Sequence, residues 1–370
     1  MSMKLVHISD THLGYFAYRK LNPDGLNQRE ADCYNAFSRA IDLALQIKPD
    51  VVLHAGDLFD TVRPTNRAMA FAAEQTLRLS EEGIPTVIIS GNHSTPRMKE
   101  TGSPLRFLNC FEDVHAVFDR PRTIDLPEAR IHAIPQCPSP VQLKEALSSV
   151  NDHLAKDRYN ILMLHVGVVG LQAFKTGEFN EQIVSQDELD PALDYIALGH
   201  YHQCVEVTPN AWYAGSTERF GFGEVGQDKG ILEVDLDRHE KKFHPLPVRD
   251  MLDLTPIECG DLTPGQITQA IVDAIPSDTE DKIVRLRLRS IPRHVYRSID
   301  QDAVRSSFAN ATHFELVPDI LEEGEMDQVQ RGIGALTEEF SMYVDERVEK
   351  DGERVRLKRL GLRYLEGDEA

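Results

Sequence analysis

LVHISDTH, residues 5–12, sets a short apolar run directly against a polar cluster, and PDVVLHAGD, residues 49–57, repeats the arrangement. A run of this length bounded by turn residues reads as a buried strand, and the stretch near residues 28–47 between the two reads as a helix. Strand, helix, strand is the repeating unit of an α/β sheet. The unit recurs downstream. FAAEQTLRLSEEG (71–83) predicts a helix ending at Gly83, IPTVIIS (84–90) a strand running into GNH, and NILMLH (160–165) and YIALGH (195–200) two further strands. Polar residues stand at the C-terminal ends of these runs, where open α/β sheets place their ligands.

Those residues are Asp10 and His12, Asp57, Asn92 and His93, His165, and His200 and His202. Carboxylate, amide and imidazole groups in this number match a binuclear centre, in which one carboxylate sits between two cations about 3.5–4 Å apart. Asp57 is assigned to that bridge. The mixed donor set favours Mn, Fe or Zn over Mg or Ca. His7 and His54 lie inside the strands and read as packed core histidines.

With 370 residues, 41% of them hydrophobic, the chain can bury a full core and carry a second, smaller domain. No apolar run approaches the ~20 residues of a membrane span, and the start lacks the pattern of a secretory signal, so the expected compartment is the cytoplasm. Cys33, Cys110, Cys137, Cys204 and Cys259 are scattered and odd in number, without a CxxC, and read as packing residues rather than a zinc knuckle or disulfide framework. The net charge of −20 runs against a polyanionic partner. Total charge governs solubility and long-range steering more than a local site, however, and metal ions supply positive charge where a phosphate sits. A salt-adapted source and a basic partner are both compatible with it.

Any one motif alone is weak, but the ordered set DTH, GDLFD, GNH, a lone His after an apolar run, and GHYH resembles the calcineurin-like metallophosphoesterases over about residues 4–250. The resemblance implies a four-layer αββα sandwich, two sheets packed together between helices. It implies two Mn(II) ions per chain, one held by Asp10, His12 and His202, the other by Asn92, His165 and His200. It assigns His93 as the acid that protonates the departing sugar oxygen; the alternative is a histidine that only orients its loop. Two positions depart from the pattern or divide within it. Ser94 replaces the carboxylate usual after GNH. Asp60, where some relatives carry His, either touches the metal-bound water or the DNA end, or caps the helix that begins near Pro64.

HISDTHLG (7–14), AGDLFDTVRPTNRAM (55–69) and YAGSTERFGFGE (213–224), the last with a Gly215-Ser216 turn closing the site, resemble the SbcD-type nuclease branch. Residues 251–318 then correspond to a small α+β capping domain. In it TPGQITQAIVDAI (263–275) reads as a helix, and Arg285, Arg287 and Arg289 alternate with Leu286 and Leu288 as on a strand. From Lys282 to Arg297, Arg293 included, there are six basic residues and no acid. This is either a DNA-binding stripe or a solvated face paired with acidic neighbours.

Residues 319–370 hold fifteen acids and eight bases and open on a linker-like DILEEGEMD. Two amphipathic helices are predicted beyond it. One carries Ile333, Leu336, Phe340, Tyr343, Val344 and Val348. The other carries Val355, Leu357, Leu360, Leu362 and Leu365, broken by Gly361. By resemblance this tail grips the coiled-coil base of an SbcC-type ATPase, with Phe340, Tyr343 and Leu360 as contacts, and the first domain (1–250) homodimerises through its helices. The bland alternative is docking onto the chain's own body. The implied function is a DNA nuclease of double-strand-break repair, exonucleolytic at duplex ends and endonucleolytic on hairpins or single strands. The rivals are a metallophosphatase or cyclic-nucleotide phosphodiesterase, and a non-catalytic DNA-end scaffold.

Overall fold

The computed structural model describes residues 3–96, 98–169, 181–276, 278–321, 340, 343–345 and 351–365. The chain divides into two units. One comprises Met1–Asp253, Ser277–Arg285 and Asn310–Phe314; the other comprises Leu254–Pro276, Leu286–Ala309 and Glu315–Ala370.

The first unit carries helices α1 (Gln28–Ile47), α2 (Asn66–Glu81) and α3 (Pro140–Asn151). Its first strands are β1 (Lys4–Ile8), β2 (Val51–His54), β3 (Thr86–Ile89), β4 (Val114–Val117), β5 (Arg122–Asp125), β6 (Ala129–Ala133) and β7 (Tyr159–His165). They are followed by β8 (Gly167–Val169), β9 (Ile183–Ser185), β10 (Tyr195–Gly199), β11 (Val205–Thr208), β12 (Ala211–Tyr213), β13 (Gly230–Asp235) and β14 (Glu240–Pro245). One six-stranded sheet has the order β14-β13-β1-β2-β3-β4, the other β11-β12-β10-β7-β6-β5. Strands β1 to β4 are parallel, as are β6, β7, β10 and β12, so both sheets direct several strand ends the same way.

The period-2 alternation of side chains separates the layers. Leu5, Val51, Leu53, Val87 and Ile89 share a core with Ile131, Ile161, Met163, Tyr195 and Ala197 of the other sheet. Val6, Ile8 and Val52 belong instead to a core with Phe37 and Ile41 of α1 and Ala68, Ala72 and Leu79 of α2. Leu162, Leu164, Ile196 and Leu198 cluster with Leu143, Ala146 and Val150 of α3. Helix, sheet, sheet, helix is the four-layer sandwich the motifs implied.

Asn27 caps α1, its side chain accepting from the amides of Arg29 and Glu30. Thr65 caps α2 by accepting from Ala68 N. The capping role considered for Asp60 therefore falls away. His7 and His54 are buried, His7 Nδ1 lying 2.9 Å from the Tyr195 hydroxyl and His54 Nε2 2.8 Å from the Thr11 hydroxyl. Burial pushes their pKa values down to about 3 and about 4, those of neutral core imidazoles. Cys33, Cys137 and Cys259 are buried, but Cys110 is exposed, which corrects its reading as a packing residue.

Past residue 250 come β15 (Met251–Asp253), β16 (Ile257–Glu258), α4 (Pro264–Asp273), the long β17 (Ile283–Pro292), α5 (Arg293–Arg297), α6 (Gln301–Ser307) and β18 (His313–Leu321). Thr263 caps α4 through a capping box with Gln266. Leu286 and Leu288 are buried, as their alternation required. The arginines between them do not form an uncompensated stripe. Arg285 makes a two-point ion pair with Asp253 (3.1 and 2.8 Å) and lies over the Phe222 ring at 4.2 Å. Arg289 faces Glu258 at 3.4 Å, and Lys282 faces Asp278 at 2.9 Å. Parallel pairing sets Asp253 opposite Arg285 and Glu258 opposite Arg289, so the acids come from the neighbouring strands. Arg287 is half-buried and Arg293 exposed.

In the tail, α7 (Asp351–Leu365) passes through Gly361 without a break. A side chain at Gly361 would collide with the ring of Phe340, so this glycine seats an aromatic ring rather than ending a helix. Of the first tail helix, Phe340, Tyr343, Val344 and Asp345 are helical; Ile333, Leu336 and Val348 lie outside the described residues. Tyr343, Val355, Leu357 and Leu360 are exposed, and Val344 is buried. Among the described residues no helix is long and apolar enough to cross a membrane.

Candidate metal centre

The centre forms where the strands of both sheets end. Beyond β1 the chain turns through Asp10 (φ 51°) and His12 (φ 49°), beyond β2 through Asp57 (φ 51°), and beyond β10 through His200 (φ 97°). A left-handed backbone at a non-glycine residue costs on the order of 1–3 kcal/mol and persists where surroundings enforce it. Here Asp10 N donates to Gly56 O (3.0 Å) and His12 N to Asp57 O (2.9 Å), lacing the two turns together. Glycine provides the space. At Gly56 (φ 103°) a Cβ would run into the His165 ring, and at Gly91 it would meet the Asp57 carboxylate and His165 Nε2.

Ligand atoms of Asp10, His12 and His202 lie within 4.8 Å of one another, and so do those of Asp10, Asp57 and His165. Asp10 is common to both groups; Asp57 belongs to one. His165 Nε2 is 3.0 Å from Asp57 Oδ2, 3.1 Å from Asn92 Oδ1 and 4.0 Å from Asp10 Oδ1. Its Nδ1 donates to the Ala55 carbonyl (2.8 Å), which leaves Nε2 as the nitrogen able to bind a cation. His202 Nε2 lies 4.0 Å from Asp10 Oδ1. The amide of His200 donates to both Asp10 oxygens (3.1 and 3.0 Å), and its Nε2 is 3.2 Å from Glu181, so a cation held by His200 would be held through Nδ1.

Among the described residues neither buried ring nitrogen of His12 has a hydrogen bond, although Nδ1 lies 3.2 Å from Asp60 Oδ1 outside hydrogen-bonding alignment. An unsatisfied buried polar group costs about 1–3 kcal/mol, and two fully buried carboxylates are costlier still unless neutralised. Two carboxylates, four imidazoles and an amide are the donor set of a pair of first-row divalent cations. The residues fit such a group. Burial would raise the carboxyls of Asp10 and Asp57, but His165 and the other imidazoles hold both below the usual carboxylate range. Burial would lower His165, and the Asp57 and Asp10 carboxylates outweigh it, lifting that imidazole to about 9.

His93 stands beside this cluster. Its amide donates to Asp57 Oδ1 (3.0 Å), and its ring lies edge-on to His12 at 4.7 Å. Nδ1 is 3.0 Å from the carbonyl of Asp60, which can only accept. Nδ1 therefore carries a hydrogen, and proton exchange falls to Nε2. The Asp60 backbone carbonyl thereby orients the imidazole. Ser94 itself is fully buried, and its hydroxyl has no hydrogen-bond partner among the described residues.

Residues 3–204 match the calcineurin-like phosphoesterase family. The chain belongs to that family. It is 35% identical over 201 residues to the DNA double-strand break repair protein Mre11 of Sulfurisphaera tokodaii, covering 54% of this chain and 49% of that protein. Over 367 residues it is 29% identical to Mre11 of Thermoplasma acidophilum, covering 93% and 90%. Over 256 residues it is 35% identical to Mre11 of Methanocaldococcus jannaschii, covering 64% of each. The chain thus spans about half the length of the first of these relatives and nine-tenths of the second.

Several residues around this cluster were not singled out in the sequence. Phe220 packs against His12 (4.7 Å), His202 (5.2 Å) and Tyr15 (4.9 Å), walling one side of the centre. Glu181 faces His200, and Glu224 faces His202 Nδ1 at 2.9 Å. Phe220 and Glu224 lie inside YAGSTERFGFGE, but no spacing rule couples them to a histidine some twenty positions earlier. Gly215 (φ 80°) and Ser216 back the same loop, Ser216 N donating to His202 O at 3.1 Å.

Proposed function

We propose that this protein is a divalent-metal-dependent DNA nuclease that hydrolyses phosphodiester bonds in double-strand-break repair. The observation that carries the reading is the pair of ligand groups sharing Asp10, with the tautomer-fixed His93 beside them. The shared name of the relatives, DNA double-strand break repair protein, supports DNA as the substrate class. We assign Asp10, His12 and His202 to one Mn(II), and Asn92, His165 and His200 to the other, with Asp57 between them. Fe or Zn suits the same donors.

Bound there, the two cations would lower the pKa of a water and neutralise charge on the phosphoryl oxygens. The chain's own residues do the rest. Asp57 receives the His93 amide, which sets the imidazole at the edge of the ligand cluster. The Asp60 carbonyl holds the Nδ1 hydrogen, so it is the imidazolium form of His93 that gives up a proton, from Nε2, to the departing sugar oxygen. Phe220 keeps bulk water from the His12–His202 side. Action at duplex ends, hairpins and single strands, a homodimer, and an SbcC-type ATPase bound through Phe340, Tyr343 and Leu360 complete the proposal. Two of those three side chains, Tyr343 and Leu360, are exposed. Arg285, Arg287, Arg289 and Arg293 remain the DNA contacts we propose in the capping segment, where Arg285 and Arg289 would exchange Asp253 and Glu258 for phosphate. Free cysteines among the described residues suit a cytoplasmic setting.

Substrate competition tests the reading. Labelled duplex and single-stranded DNA, an aryl phosphodiester and an aryl phosphomonoester are each offered with Mn(II), Mg(II) or chelator. Metal-dependent DNA cleavage is expected. Rapid hydrolysis of the monoester with DNA untouched would favour a phosphatase, and silence on every substrate, with and without a partner ATPase, would favour a scaffold.

A further inference from the structure

We propose that Glu224, clamped by the buried Lys229, is a positioning residue for the metal-holding imidazole of His202. The inference rests on the metal centre proposed above and adds a role for two residues outside its ligand set.

Glu224 Oε1 lies 2.9 Å from His202 Nδ1. A carboxylate only accepts, so Nδ1 carries the hydrogen, and the lone pair is confined to Nε2, the nitrogen on the side of Asp10. The other oxygen, Oε2, takes the Lys229 ammonium at 2.7 Å and the Phe220 amide at 3.2 Å. Both oxygens are thus engaged, and the carboxylate is held in one orientation. Lys229 is 1% exposed, and a buried ammonium is costly unless paired and hydrogen-bonded. Its further partners are the His202 carbonyl at 2.7 Å and the Gln227 side chain at 3.1 Å. The lysine therefore ties the orienting carboxylate to the main chain of the residue being oriented. The Phe220 ring, 5.2 Å from that of His202, bounds the remaining direction of swing.

A purely structural ion pair would need an acid and a base but not this convergence on one histidine. Carboxylates behind metal-ligating imidazoles fix ring orientation and raise ligand basicity, and their loss typically costs 10- to 100-fold in metal affinity.

The experiment is Mn(II) titration by calorimetry of the chelator-treated full chain, with the thermal midpoint of the metal-free protein measured alongside. Two ions are expected to bind the wild type. In Glu224→Ala one ion weakens about 10- to 100-fold while the other keeps its affinity. Lys229→Met weakens the same ion. Glu224→Gln, which keeps the shape and one acceptor for Nδ1–H, weakens it less, and serves as the working variant should the alanine protein fail to fold. Wild-type affinity for both ions in Glu224→Ala would overturn the proposal, as would an equal weakening of both ions accompanied by a fall in the metal-free midpoint. His202→Ala separates the two levels of inference. If it loses one ion while Glu224→Ala loses none, only the positioning role fails; if it binds both ions normally, the metal centre itself is misassigned.

Discussion

At Gly91 a single added methyl group would meet the Asp57 carboxylate and His165 Nε2, the side chains that draw the second ligand group together. Gly91→Ala is therefore expected to lose bound metal and at least tenfold in hydrolysis, while secondary structure stays intact. Metal content after desalting, read against circular dichroism, checks this; full metal occupancy would show that the cradle has room. The polar cluster was legible because strand ends deliver chemistry, so Asp10, Asp57, Asn92 and His165 could be found by finding strands. The left-handed turns that aim Asp10, His12, Asp57 and His200 were not legible, because only the lacing of two turns makes that backbone tolerable. Asp60 was ambiguous for a physical reason. Its carboxylate faces one histidine and its carbonyl another, and sequence reports residue type but not which atom is used. Glu181 and Lys229 reach the site from loops and Glu224 from the single turn Phe222–Glu224, too short for any periodicity to read.

At the scale of elements, the apolar runs read in the sequence fall on β1, β2, β3, β7 and β10, and their consequences reach stability. β1 and β2 each carry a buried neutral histidine whose folded pKa, about 3 for His7 and about 4 for His54, lies below the unfolded value of 6.5. The unfolded chain then binds more protons in this window, so stability is full above about pH 6.5 and is lost as pH falls toward 4. Each histidine contributes a slope of about 1.4 kcal/mol per pH unit. Burial pushes His115 and His132 in the same direction. Urea denaturation of the metal-free protein at pH 7 and pH 5 is expected to show this loss; an unchanged free energy would mean these histidines are protonated in the fold. For α2, Thr65→Ala removes the cap on Ala68 N and is expected to cost about 0.5–2 kcal/mol by the same measurement. The basic strand shows the opposite lesson. Its alternation was readable, but its charge was not, because Asp253 and Glu258 arrive from neighbouring strands in parallel register.

The whole molecule combines a net charge of −20 with a centre suited to cations, so local rather than global charge must bring a phosphate to it. The tail adds exposed apolar groups, Tyr343, Val355, Leu357 and Leu360, that suit a partner. Deleting residues 319–370 is expected to abolish co-purification with a coiled-coil ATPase while leaving metal-dependent cleavage intact; undiminished association would move the contact elsewhere. The central claim is that His93 moves a proton in a reaction the ligand cluster makes feasible, and one comparison addresses it directly. Wild type, His93→Ala and Asp57→Ala are incubated with labelled duplex DNA and Mn(II), and bound metal is quantified in each. The expected result is cleavage by the wild type, a loss of roughly 10²–10⁴-fold in His93→Ala with its metal retained, and loss of both metal and cleavage in Asp57→Ala. Cleavage by His93→Ala at the wild-type rate, or by Asp57→Ala with full metal occupancy, would contradict it.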